Sequence, residues 1–273
     1  MACRKCNVEI VQKLFELKPE KCLATNYMGQ TPFFIATQVQ SMDLLQIFAD
    51  YKNQAILIKD RFGENPLFEC ARNGNEAIFK WFIDINGNEF YFARGQQNYK
   101  GQTIEHVVCL HKQTELVDEI RPRLDTVDYY GSLPLFYSLQ QNDKEMINKY
   151  FVDRARDCFK LRNYKWETIF HIAAKSNSLE SLKLIIGNSV FIDQLLKKDY
   201  AGNTPIHIAA KNGNIEILTY LCQNATKRFL EIQNDFGFTP YEAAREKCNL
   251  MEAALATKDA EQIGDVEQYK QKL

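Results

Sequence analysis

Asp199-Tyr-Ala-Gly202-Asn-Thr-Pro205-Ile-His207-Ile-Ala209-Ala-Lys-Asn-Gly213-Asn-Ile-Glu-Ile-Leu218 is the stretch from which the fold can be read. It opens on Asp199, a residue type whose short polar side chain closes a turn by bonding the backbone just ahead. Gly202 follows where a positive φ is expected, a conformation costly for any other residue. Thr204-Pro205 then starts a helix, because Pro fits a first turn in which its missing N–H has no partner to lose. Asn212-Gly213 interrupts that helix, and the apolar residues from Ile215 onward return at helical spacing.

Outward from this segment, the same order recurs as Asn26-Tyr-Met-Gly29-Gln-Thr-Pro, Asp60-Arg-Phe-Gly63-Glu-Asn-Pro, Asn98-Tyr-Lys-Gly101-Gln-Thr, Asp128-Tyr-Tyr-Gly131-Ser-Leu-Pro, Asn163-Tyr-Lys-Trp166-Glu-Thr and Asn234-Asp-Phe-Gly237-Phe-Thr-Pro. Gly29 and Gly237 are 208 residues apart over six intervals, about 35 per copy, a period typical of helical arrays. Six of the seven copies carry the glycine. Trp166 replaces it in the fifth, whose turn is expected to be built differently. A small residue recurs seven positions after the glycine column, at Ala36, Cys70, Ser138, Ala173, Ala209 and Ala244, with Val108 the largest. Small side chains there let neighbouring helices approach closely. Ser178-Leu-Glu-Ser-Leu-Lys-Leu-Ile-Ile186 repeats the second helical pattern, so each unit reads turn, helix, turn, helix, and stacking of units creates the core.

These residues resemble the ankyrin repeat family. Asp199 to Leu218 follows its D-x-x-G-x-T-P-L-H-x-A-A-x-x-G-x-x-E-[VI] pattern almost throughout, and Thr168-Ile-Phe-His-Ile-Ala-Ala-Lys175 is a second strong match. Copies three and four depart from it: Glu105 stands at a usually apolar position, Leu133 replaces Thr, and only 30 residues separate Gly101 from Gly131. The resemblance implies an all-α, ankyrin-type α-solenoid of stacked helix-turn-helix units with short hairpin loops, about seven and a half repeats in all. Residues 1–255 form the array, with an incomplete first repeat at 1–22, and 256–273 a charged C-terminal tail.

Composition agrees with a folded chain. Of 273 residues, 45% are apolar and 25% charged, ordinary for a globular protein of one or two domains. Lys and Arg number 34 against 35 Asp and Glu, so no general attraction to nucleic acid or anionic membrane is expected. No apolar run spans a bilayer and the start lacks a signal-peptide pattern. Eight scattered cysteines fit free thiols in a reducing, cytoplasmic compartment, with or without a larger complex. Cys3 and Cys6 form a CxxC, but no second ligand pair follows and no metal site is expected.

Both ends are informative. Ala2 to Ile10 aligns with Ala209 to Ile217, so the sequence enters partway through the first helix of an eighth copy. Its apolar end, near Val8, Val11, Leu14 and Phe15, is expected to be covered by missing repeats of a longer chain or by a partner. In the tail, Ile263, Val266, Tyr269 and Leu273 form a thin apolar stripe, read either as a helix docking on the last repeat or a partner, or as a solvated end.

No phosphate loop, dinucleotide fingerprint, zincin or serine-hydrolase motif occurs, and neither a catalytic residue nor a cofactor is expected. His106, His171 and His207 all lie five residues after the glycine column, where Phe34, Phe68, Phe136 and Glu242 stand in the other copies. The resemblance implies a structural histidine that hydrogen-bonds between adjacent turns. Two surfaces remain for binding. Tyr27, Tyr99, Tyr129, Tyr164 and Tyr200 directly follow the turn residue and sit, by the resemblance, near the hairpin tips, where each packs on its neighbour or serves an interface. The inner helix face carries Gln38, Arg72, Leu110, Gln140, Lys175, Lys211 and Glu246 beside Arg154, Arg156, Lys160, Arg162 and Lys165, a basic region suited to an acidic partner segment or to a solvated face. The expected function is a non-catalytic protein–protein interaction scaffold or adaptor. The alternative is the C-terminal part of a regulatory ankyrin region in a larger protein, since such arrays also precede membrane channels, palmitoyltransferases and signalling enzymes.

Overall fold

The computed structural model describes residues 3–5, 7–120, 126–151, 161–186, 192–223 and 227–247. The chain forms two compact units, Met1–Tyr137 and Ser138–Leu273, and the regular structure among the described residues is helical. The tail from 256 onward, with Ile263, Val266, Tyr269 and Leu273, lies outside the described residues.

Each copy delivers a turn, a first helix and a second helix. In the first unit the first helices Pro32–Gln38, Pro66–Asn73 and Ile104–Leu110 pack one on the next, while Met42–Ile47 and Glu76–Arg94 fold back against their own partners. In the second unit Ile169–Ser176, Pro205–Asn212 and Pro240–Lys247 pack in the same succession, and Leu179–Ile186 lies against Ile215–Gln223. Local chemistry sets the boundaries. Thr31 Oγ1 accepts from the Phe34 amide at 3.1 Å and Asn65 Oδ1 from the Leu67 amide at 3.0 Å, satisfying donors that the helix itself leaves open. Gly74, Asn177 and Gly213 end their helices in the left-handed conformation.

The small-residue column is enclosed by the structure: Ala36, Cys70, Val108, Ala173 and Ala209 are all buried. Around it, Phe33, Phe34, Phe68, Phe79, Phe82 and Phe90 are enclosed in the first unit, with Phe33 edge-on to Phe82 and Phe79 edge-on to Phe90. Losing one such ring to Ala typically costs about 3–5 kcal/mol, so these rings dominate the energetics of the stack.

Two expectations change. Val11 is buried, and Phe15 stacks edge-on against Phe48 and Tyr51 with centroids 5.7 and 5.8 Å away. Both therefore serve the core, and the exposed apolar side of Val8–Leu17 consists of Ile10, Leu14 and Leu17. Glu105, at its normally apolar position, is buried and receives Arg94 Nη2 and Nε at 3.2 and 3.3 Å. Arg94 ends the 19-residue helix Glu76–Arg94, which breaks at Gly87 (φ 47°, ψ −121°).

Candidate functional site

Seven turns share one construction. The opening Asn or Asp accepts, through Oδ1, the amides two and four residues ahead at 2.8–3.0 Å. Only a carbonyl-type oxygen on a short stem is required, so Asn and Asp interchange freely in this column. The amide three residues on returns to the carbonyl of the opening residue, at φ between 59° and 79°. Trp166 does this too, donating to Asn163 at 2.8 Å with φ 59°. The fifth turn is thus not built differently, and a bulky residue bears a backbone conformation reserved for glycine in the other six.

Main-chain bonds stitch successive turns together. Arg61 N donates to Met28 O at 2.8 Å, Tyr99 N to Phe62 O and Tyr129 N to Lys100 O at 3.0 Å in the first unit. Tyr200 N donates to Lys165 O and Asp235 N to Ala201 O in the second. A Cβ on Gly101 would come within 2.5 Å of the Tyr129 nitrogen, and φ there is +74°. Gly101→Ala is therefore expected to lose about 2 kcal/mol of stability in urea unfolding, from strain and the displaced Tyr129–Lys100 bond. A variant as stable as the parent would contradict this packing.

The tips carry aromatic rings. Tyr27, Tyr99, Tyr129, Tyr164 and Tyr200 are all exposed, Tyr27 by 85% and Tyr200 by 77%. Tyr99 and Tyr129 rest a ring edge on Gly63 and Gly101 of the preceding turn, where no Cβ stands in the way. The two turns with no Tyr after the opening residue, at Arg61 and Asp235, carry Phe62 and Phe236 one position later, 50% and 71% exposed. Every one of the seven turns thus presents an exposed aromatic side chain. A column-by-column reading misses Phe62, Phe236 and Tyr130, although reading the tip as a two-residue window would have found them. Arg61 lies over the Phe62 ring at 4.8 Å.

His106, His171 and His207 are buried, and both nitrogens of each are engaged. Nδ1 receives the amides of Thr103, Thr168 and Thr204 at 3.1–3.2 Å, and Nε2 lies 3.0 Å from the carbonyls of Ser132, Asn203 and Phe238 in the next turn. An amide can only donate, so Nδ1 accepts and the proton sits on Nε2, which donates to the carbonyl. Burial holds all three imidazoles below their ordinary value, against the opposing pull of that carbonyl. At the seventh turn Glu242 replaces the histidine and its Oε2 accepts the Thr239 amide at 2.8 Å.

Of the basic residues singled out in the sequence, Arg154, Arg156 and Lys160 lie outside the described residues. Arg72 is held by Glu64 and Glu69, each at 2.6 Å, and Lys175 reaches Glu167 at 3.3 Å. Arg162 lies 5.8 Å from the centre of the Trp166 ring, and Lys211 is exposed. Cys70 is buried, its thiol pushed far above the ordinary value by desolvation, which leaves it inert packing. No group of three His, Cys, Asp or Glu residues among those described stands ready to hold a metal, and no described helix is long and apolar enough to cross a membrane.

A family model described as ankyrin repeats (3 copies) matches residues 1–91, and one described as ankyrin repeats (many copies) matches residues 157–221, together more than half the chain. The chain belongs to the ankyrin repeat family. The all-α stacking described above is the fold expected of ankyrin repeats. Residues 92–156 lie between the two matches and contain the departures at Glu105 and Leu133, yet the turns at Asn98 and Asp128 keep the full hydrogen-bond set of their neighbours. Ankyrin repeats are generally protein–protein interaction modules. No curated protein matches the chain.

Proposed function

We propose that this ankyrin protein is a non-catalytic adaptor that grips a partner protein along its turn tips and the adjoining helix face. The exposed aromatic side chain on each of the seven turns carries this reading. Rings with few rotors, mounted on a hydrogen-bonded backbone, lose little entropy on contact, and Tyr adds a hydroxyl that can bond across an interface. The backbone holding them is fixed before any partner arrives, so binding needs little ordering of the loops. The histidines, the residues closest to a catalytic set, have both nitrogens committed to the fold.

Replacing Tyr129 and Tyr164 together with Ala tests the reading. Pull-down from native extract with mass spectrometry is expected to lose the proteins captured by the parent chain, while the melting temperature falls by no more than about 4 °C, the loss of modest surface packing. Unchanged capture with a large fall in melting temperature would show the rings to be internal packing.

A further inference from the structure

Trp166 is the one residue of the seven that breaks the glycine column, and its surroundings explain what it gains. Its ring is 56% exposed, so the core does not claim it. Six other turns reach the same positive φ with glycine, and a side chain that stabilised the turn itself would have no reason to be a bulky one. Beside it lies a cleft of about 470 Å³ lined by Arg162, Trp166, Lys197, Lys198, Tyr200 and Asp235, among others. Arg162 stands over the Trp166 ring at 5.8 Å and leans on the Lys198 carbonyl at 3.4 Å. Lys198 Nζ donates to the Gln233 carbonyl at 2.7 Å and keeps two further donors. The Lys197 ammonium is exposed and makes no hydrogen bond or ion pair among the described residues. Of the two carboxylates in the cleft, Asp199 is spent inside its own turn on the Ala201 and Asn203 amides, leaving Asp235 at one side.

We propose that this cleft is a docking site for an acidic linear segment of a partner protein, with an apolar side chain of that segment laid on Trp166 and Tyr200 and its carboxylates met by Arg162, Lys197 and Lys198. This deepens the adaptor reading and rests on it. Three cations over an aromatic floor complement alternating carboxylate and apolar groups, and a guanidinium already stacked on a ring binds carboxylate with less ordering to do. A nucleic-acid backbone fits less well, because Asp235 and Asp199 would face its continuous charge, whereas a peptide can place its acidic residues away from them.

Selection of a random peptide library on the full chain, followed by titration of the protein into a selected peptide carrying a fluorophore, read by anisotropy, tests this. Selected sequences are expected to be rich in Asp and Glu around an apolar residue, with binding that weakens as salt rises. Trp166→Gly and Lys197→Glu should each weaken that peptide about tenfold. Trp166→Gly should also leave the melting temperature within about 3 °C of the parent or raise it, since it restores the residue the other turns use. Neutral or basic selected sequences, full affinity after Asp and Glu are replaced by Asn and Gln, tighter binding of a single-stranded oligonucleotide, or unchanged affinity in both variants would each overturn the site. If these arms fail while capture dependent on Tyr129 and Tyr164 persists, the cleft is refuted and the adaptor reading stands.

Discussion

Arg94→Ala is expected to destabilise the protein by about 3–5 kcal/mol, the usual cost of stranding a buried charge. The guanidinium supplies two hydrogen bonds to the Glu105 carboxylate, which is almost wholly shielded from water, while Arg94 itself retains some exposure. The two deletions should therefore be unequal. Without Arg94, the buried Glu105 carboxylate loses both of those hydrogen bonds and drags water into the stack. Without Glu105, the guanidinium, which already reaches water, can be hydrated where it stands, so Glu105→Leu should cost clearly less. The double replacement Arg94→Met with Glu105→Leu should recover most of the loss, because an apolar pair of similar volume removes both desolvation penalties. Urea denaturation of the four proteins measures the cycle, and an Arg94→Ala loss below about 1 kcal/mol would mean that the pair is not buried in solution.

Acid is the second large effect. His106, His171 and His207 bind a proton less readily when folded than when unfolded, near 6.5, because burial opposes the charge. Between the lowered folded value and 6.5 the unfolded chain holds more protons, so stability rises with pH and is lost as pH falls through 6.5. Each histidine contributes up to about 1.4 kcal/mol per pH unit in that window, so lowering the pH from 7.5 to 5.5 should cost at most about 4 kcal/mol for the three together. Protonation would also place an N–H against the Thr amide that Nδ1 now accepts. His171→Gln should be destabilised at pH 7.5 and show a shallower slope below 6.5. A flat profile in denaturant midpoint from 7.5 to 5.5 would contradict the neutral, doubly bonded imidazoles.

What was legible in the sequence was whatever the turn demands at a fixed place. The Asn or Asp column, the positive-φ glycines and the Thr–Pro starts each answer one local requirement, so seven copies could be aligned from residue types alone. The rest depends on relations between positions. Phe62 and Phe236 supply the tip aromatic one residue late, which a single-column view cannot register. Glu105 looked like a flaw because its partner comes from the end of an irregular helix broken at Gly87. Trp166 looked like a different turn because residue type alone does not show when a side chain endures a left-handed backbone. Val11 and Phe15 belong to a helix with two apolar sides, and the sequence does not say which side meets Phe48.

The stitched turns separate two duties within single residues. The amide of Tyr99 belongs to the scaffold through Phe62, while its ring, largely in water, belongs to whatever the protein meets. The tip lettering can therefore differ one character at a time, with Arg61 and Asp235 standing where the other five turns carry Tyr, without renegotiating the architecture beneath. Such a surface drifts toward new partners more readily than one built from helix faces, where each exchanged side chain also holds up a neighbour.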